Sequence, residues 1–484
     1  MHKRLVLNII SRILLIVCFS MLIPLGWAVY DDSQSLEVEA FIITIFIGVA
    51  LAGIFRLIFR AKKEEFDTLN TKDGLAIVGL SWICMSAFGA LPFFLSGAVF
   101  SYTDAFFETA SGFTTTGASI MTNIEALPRG ILFWRSLTHW LGGMGIIVLF
   151  LALLPALGQT GFQMYKAEAP GLTAERIQPR VKETAKILWT VYFLLSFSET
   201  ILLMFGGMPL FDALCHTFGT MATGGFSTKS TSIGYYNNYL QWVVILFMFF
   251  AGANFMLHYQ ALRGNIKAFF KSEEFRCYFF LLLGMIMVFS VVLKVENASS
   301  SPLREGAFQV VSILTTTGYS TANSDLWPHV LRFSLIILMF IGGCGGSTGG
   351  GMKIIRFFSA VKIAFRSVVQ TLFPNAVLPI RFNGVPLSSK LIMSVLSYFV
   401  IYMILFFFGT IILTITEGCD LVTAFSAAIA SLSNIGPGLA KVGATQNYAW
   451  VSIPGKWTLV FLMIAGRLEL YSILILFVPA TWKK

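Results

Sequence analysis

An all-α integral membrane protein with ten transmembrane helices is predicted by three features of the sequence. Of its 484 residues, 56% are hydrophobic and only 12% charged, where soluble domains carry about a quarter charged residues. Apolar stretches recur from end to end, each of about 20 residues and long enough to cross roughly 30 Å of hydrocarbon as a helix. Between alternate pairs lie shorter helical segments, each followed by a loop rich in Thr or Gly.

The apolar stretches fall near 5–30, 38–60, 74–98, 131–156, 184–205, 237–262, 276–294, 329–346, 390–415 and 457–481. The first has Arg12 inside it, is too long for the apolar region of a signal peptide and has no small-residue cleavage site after it, so it reads as a retained helix. Residues 1–70 form an N-terminal helix pair. Four repeats follow, at 71–157, 183–262, 275–372 and 388–484, each reading apolar helix, short helix, loop, apolar helix. The short segments, 102–113, 209–221, 303–314 and 419–432, cannot cross the membrane and read as re-entrant half-helices. All four repeats run in the same sense, which suits a pore along the membrane normal.

Charge placement orients the chain. Basic residues gather in one set of loops: Arg56, Arg60, Lys62, Lys63 and Lys72; Lys166, Arg176, Arg180, Lys182 and Lys186; Arg263, Lys267, Lys271 and Arg276; Lys353, Arg356, Lys362, Arg366, Arg381 and Lys390. These loops are cytoplasmic by the positive-inside rule, which makes both termini cytoplasmic and brings each half-helix in from outside. The net charge of +10 is thus topological and implies no nucleic-acid partner. Six scattered cysteines, Cys18, Cys84, Cys215, Cys277, Cys344 and Cys419, have no metal-ligand spacing. No nucleophile-base pair or metal cluster suggests an enzyme.

The loops after the half-helices read Thr114-Thr115-Thr116-Gly117-Ala118, Ala222-Thr223-Gly224-Gly225, Thr315-Thr316-Thr317-Gly318-Tyr319 and Ser433-Asn434-Ile435-Gly436-Pro437. Irregular backbone at membrane depth is tolerated only where it lines a wet cavity or is buried in protein. Four such segments around one axis offer carbonyl oxygens in place of the hydration shell of a monovalent cation. Glycine permits the backbone conformation this needs, and the half-helices direct their partly negative C-terminal ends inward. The loops carry no acidic side chain, which argues against a divalent-cation site. The candidate ion-binding residues are Thr115, Thr116 and Gly117; Ala222, Thr223 and Gly224; Thr316, Thr317 and Gly318; and Asn434, Ile435 and Gly436.

On the second helices, Gly143, Gly252, Gly343 and Gly466 align at one level. In the third repeat the helix runs into Gly342-Gly343-Cys344-Gly345-Gly346-Ser347-Thr348-Gly349-Gly350-Gly351. Each Gly there costs about 1 kcal/mol against Ala, so the helix must break. A phosphate-binding loop is the competing idea, but Gly351 is followed by Met352 rather than by Lys and Ser or Thr. The better reading is a loop across the pore, with Gly345, Gly346, Ser347, Thr348, Gly349, Gly350 and Gly351 as candidate gate residues. Arg467 lies near the middle of the last span, where an unpaired charge costs at least ~2.5 kcal/mol. It is expected to face the pore and bind carbonyls of that loop; the alternative is a buried pair with Glu199 or Glu108.

The chain resembles the TrkH/KtrB/HKT superfamily of potassium transporters, most specifically in Ser111-Gly112-Phe113-Thr114-Thr115-Thr116-Gly117 and Thr315-Thr316-Thr317-Gly318-Tyr319-Ser320. The resemblance covers the whole chain and includes the extra N-terminal helix pair of the TrkH branch. It implies that Gly117, Gly224, Gly318 and Gly436 are the filter glycines, that Gly117 goes with potassium rather than sodium, with Rb+ passing too, and that the Gly-rich loop is a gate. It implies a homodimer with a pore in each chain, in the bacterial inner membrane among its lipids. It further implies a cytosolic nucleotide-binding subunit, TrkA-like, that senses ATP, ADP and NAD. The basic loops 157–183 and 353–389 are suitable docking surfaces for such a partner. K+ is the implied bound ion, with no organic cofactor. A proton- or sodium-coupled symporter stays open as the alternative function, since the same loops would serve an alternating-access site.

Overall fold

The computed structural model describes residues 2–31, 35–59, 71–153, 177–376 and 378–482, and these are almost wholly helical. Most of the expected basic loop 157–183 lies outside them. A two-stranded ribbon, Arg381–Phe382 with Val385–Pro386, is the sheet among the described residues.

Six helices there are long and apolar enough to cross a membrane, or eight if two bent pairs each count as one span. Their outer faces carry exposed Phe46, Phe193, Phe197, Phe280 and Ile415, and only 22% of the Leu36–Ile58 span is buried. Such surfaces are stable against lipid and not against water.

The N-terminal pair, Lys3–Tyr30 and Ser35–Ile58, packs on the first repeat. Glu37 is buried and accepts the backbone N–H of Ile131 at 2.7 Å. This satisfies one of the donors that a helix start leaves open.

The four half-helices are Tyr102–Phe113, Leu210–Met221, Pro302–Leu314 and Leu421–Leu432, within a residue or two of the expected bounds. Each has an outer helix before it: Thr71–Gly89, Ile177–Phe205, Glu273–Val295 and Ser389–Glu417. Inner helices follow, beginning at Arg129, Asn238, His329 and Ile453.

Three inner helices break where only the third was expected to. The second kinks by 100° between Ala251 and Phe255, where Asn254 caps the new helix by accepting from the N–H of Met256 at 2.8 Å. The third stops at Ile341 and resumes at Ile354. The fourth turns by 118° after Arg467, through Glu469 and Leu470, both at positive φ. Neither residue is Gly or Pro, so the second left-handed corner in particular has no signature in composition.

An outer belt joins the repeats in cyclic order. Ser230 N–H donates to Glu125 at 2.7 Å, Gly234 N–H to Ser320 O at 3.2 Å, Ala440 N–H to Asp325 at 2.8 Å and Tyr448 N–H to Ser119 O at 2.8 Å. These bonds link repeat one to two, two to three, three to four, and four back to one.

Asp420 begins the fourth half-helix, its carboxylate accepting the Thr423 hydroxyl at 2.6 Å and the Thr423 N–H at 3.1 Å. The Thr423 hydroxyl is the main reason its carboxyl is held below the ordinary value. A depressed carboxylate stabilises the folded state above its unfolded value near 3.9 and loses that contribution as pH falls through the folded value. Asp420→Ala is therefore expected to destabilise the protein by about 1 kcal/mol at neutral pH. The thermal midpoint in detergent should drop at pH 7, and the gap to wild type should close below about pH 4.

Candidate pore loops and the loop beneath them

Each half-helix ends in the same backbone sequence. A residue with an unusual left-handed φ comes first, Thr115 (52°), Thr223 (53°), Thr316 (61°) and Asn434 (56°). Two residues on stands a positive-φ glycine: Gly117 (82°), Gly225 (81°), Gly318 (81°) and Gly436 (96°). The intervening residue donates its N–H back into the half-helix: Thr116 to Ser111 O, Gly224 to Gly219 O, Thr317 to Ser312 O and Ile435 to Ala430 O, all at 2.7–2.8 Å.

This geometry corrects the register of the second loop. Gly224, aligned with Gly117 on sequence, matches Thr116; Gly225 matches Gly117. Taking the glycine that follows Thr misplaced it; four residues past the half-helix ends at Phe113, Met221, Leu314 and Leu432 stand Gly117, Gly225, Gly318 and Gly436. The set Ala222, Thr223 and Gly224 therefore shifts to Thr223, Gly224 and Gly225, while the other three triplets keep their places.

The glycines then explain one another. A β-carbon on Gly117 would overlap the carbonyl oxygen of Gly224, one on Gly225 that of Thr317, one on Gly318 that of Ile435, and one on Gly436 that of Thr116 at 2.5 Å. Each glycine packs against the backbone of the next loop, and the order one, two, three, four, one closes a ring. Side chains there would strain φ and collide with a neighbouring main chain.

Residues 342–353 pass beneath this ring and touch the second, third and fourth repeats. Thr348 donates its hydroxyl to Met221 O at 2.9 Å, and Cys344 N–H donates to Gly252 O at 2.9 Å. Gly350 N–H donates to the Thr316 hydroxyl at 2.5 Å, and a β-carbon on Gly350 would overlap Ser433 O. The segment leaves and returns at one point, since Ile354 N–H donates to Gly343 O at 3.0 Å. Gly345 N–H is held by Glu274 at 2.6 Å, and the Lys353 ammonium donates to Gly349 O.

Arg467 is buried and donates to Thr348 O at 2.7 Å and to Gly142 O at 3.4 Å. It thus reaches carbonyls of the Gly-rich segment, as expected, and not a carboxylate. Glu108 instead pairs with Arg135 at 2.6 Å and accepts from the Ser119 hydroxyl and the Ile120 N–H, each at 2.9 Å. Both partners of this ion pair are buried, and the extra hydrogen bonds offset the desolvation that a bare pair would suffer.

The four inner-helix glycines do not share one level. A β-carbon on Gly466 would overlap Leu432 O, and one on Gly142, not Gly143, would overlap the matching Phe113 O. Arg467 therefore stands where Gly143 stands in the first repeat. A one-residue offset cannot be read from glycine spacing when Gly142 and Gly143 are adjacent.

Sequence reasoning passed over Arg135, read His139 as a helix-end or packing residue and quoted Tyr319 in the third loop without giving it a role. Their signal was weak: Arg135 and His139 stand one helical turn apart in an apolar run, and Tyr319 is a single aromatic beside a loop glycine.

The profile of the TrkH family, described as cation transport protein, matches residues 38–484. The chain belongs to the TrkH family. It is therefore a multi-pass membrane protein of a transport family rather than an enzyme. Among TrkH-family relatives, the Trk system potassium uptake protein TrkH of Salmonella typhimurium is 38% identical over 100% of both chains. The protein of that name from Escherichia coli is 37% identical over the same extent. The crystal structure of the potassium transporter TrkH from Vibrio parahaemolyticus superposes with a TM-score of 0.90 at 35% identity, covering 100% of each chain.

Proposed function

We propose that this protein carries K+ into the cell through a single pore per chain, selecting it at the ring of four loops and gating it at the Gly-rich segment beneath. The observation that carries this reading is the cyclic packing of Gly117, Gly225, Gly318 and Gly436 against carbonyls of the next loop. A closed ring of backbone supplies oxygens without fixed charge, which suits a monovalent cation that must bind and leave. The half-helix C-termini add partial negative charge at the same level. The names of the TrkH relatives support potassium as the ion.

Arg467 and residues 345–351 form the gate. The arginine places a positive charge under the ring and ties the segment to the fourth repeat through Thr348 O, so closure raises the barrier for a cation twice over, by charge and by bulk. Helix Ile354–Leu372 continues directly from the segment and carries Arg356, Lys362 and Arg366, and its position supports cytosolic control by a nucleotide-binding partner. That the relatives are named as parts of a Trk system agrees with a second component. The protein is a homodimer in the bacterial inner membrane with both termini in the cytoplasm.

The test is Rb+ uptake into K+-loaded liposomes containing only the purified chain. Concentrative uptake without a proton or sodium gradient, blocked by external K+ and spared by Na+, is the expected result. Uptake that needs an imposed proton or sodium gradient would instead establish a coupled symporter and sink the passive pore.

A further inference from the structure

The four loops are not held in the same way. In the first, the Thr114 and Thr116 hydroxyls lie 2.8 Å apart, and in the third so do those of Thr315 and Thr317. Each of these loops carries its own brace. The second loop has Ala222 and Gly224 at the equivalent places and so has no hydroxyl to form one.

Two side chains from the neighbouring repeats stand there instead. His139, on the inner helix of the first repeat, lies with Nδ1 3.0 Å from Gly112 O and Nε2 3.3 Å from the Phe226 nitrogen. A carbonyl only accepts and an amide N–H only donates, so the ring is the neutral tautomer with its proton on Nδ1. The same ring fills the space a β-carbon on Gly224 would need. From the other side, the Tyr319 hydroxyl lies 3.1 Å from both Phe226 O and His216 O. Phe226 directly follows the ring glycine Gly225, and both of its backbone polar groups are taken by side chains of other repeats. Arg135 adds weight, with its guanidinium 3.6 Å over the Phe226 ring and one N–H on Ser227 O at 2.9 Å.

We propose that His139 and Tyr319 are specificity-determining positioning residues, a clamp from the first and third repeats that substitutes for the missing threonine brace of the second loop. Neither touches the ion. They keep the backbone at Gly224 and Gly225 from closing around a smaller cation, so slackening them admits Na+. The proposal rests on the pore reading above. The loop whose own sequence supplies least rigidity thus borrows it from both neighbours, and buried hydrogen bonds are strong positional restraints because leaving either partner unpaired is costly.

The experiment uses the full chain in K+-loaded liposomes and measures Rb+ uptake against external K+ and against external Na+. Tyr319→Phe keeps the ring and its packing and removes one hydroxyl; His139→Ala removes the other restraint; His139→Gln keeps a donor and an acceptor. The K+ over Na+ discrimination should fall by about fivefold in Tyr319→Phe and in His139→Ala, the scale of one net hydrogen bond. It should recover in His139→Gln, with elution and thermal midpoint in detergent unchanged. If His139→Ala does not assemble, Tyr319→Phe decides. Wild-type selectivity in both variants, or a drop in K+ and Na+ entry by the same factor, would overturn the clamp while leaving the pore reading intact. A wild-type chain without K+-competed Rb+ uptake would overturn the pore reading and the clamp with it.

Discussion

Replacing Arg467 with alanine is expected to raise Rb+ flux through the reconstituted chain by about tenfold or more. Its guanidinium donates to Thr348 O and Gly142 O, so it joins the Gly-rich segment to the first and fourth repeats at once. A hydrogen bond from a charged donor contributes about 1.5–3 kcal/mol, and its removal frees the segment to leave the pore axis. The substitution also deletes a buried positive charge from the path of a cation, which acts in the same direction. Arg467→Lys keeps the charge but loses the planar fork that spans two carbonyls, so its flux should lie between the two. Unchanged or reduced flux in an assembled Arg467→Ala protein would count against a gate at this position.

The opposite effect is expected at Gly318. Its φ of 81° already disfavours any side chain by about 1–2 kcal/mol, and a β-carbon would overlap the Ile435 carbonyl oxygen of the next loop. Main chain cannot rotate aside as a flexible side chain can, so Gly318→Ala must open the ring. Selective Rb+ uptake should fall by about tenfold or more, through lost rate, lost discrimination against Na+, or both. Gly97 supplies the control. It has a φ of 74° but nothing within 4 Å of an added β-carbon, so Gly97→Ala bears the same backbone strain without the collision. If both variants transport alike, the ring contact at Gly318 is not what sets uptake.

The half-helices were legible because length alone excludes a 12-residue helix from spanning the bilayer, and the loops were legible because polar backbone at that depth needs a reason. The break after Ile341 was legible in the same way, since ten residues that include seven glycines between 342 and 351 cannot hold a helix. Neither the bend at Gly252 nor the corner at Glu469 and Leu470 could be foreseen: one glycine in an apolar run is common in membrane helices, and no local rule calls Leu into left-handed backbone. The register of the second loop failed for a different reason: Gly224 follows a Thr as Gly117 and Gly318 do, and that likeness outweighed the four-residue distance from the half-helix end that points to Gly225.

What the sequence by itself determined is the membrane class, the four repeats with their half-helices, the place of the Gly-rich segment and the isolation of Arg467 in an apolar span. These follow from hydrophobicity, length and glycine content, which are local quantities. Which carbonyls the ring glycines and Arg467 meet, and what braces the second loop, came from the three-dimensional packing alone. Those depend on atoms brought together from different repeats, such as His139 with Phe226 and Tyr319 with Phe226, and no spacing along the chain encodes a contact made across a ring.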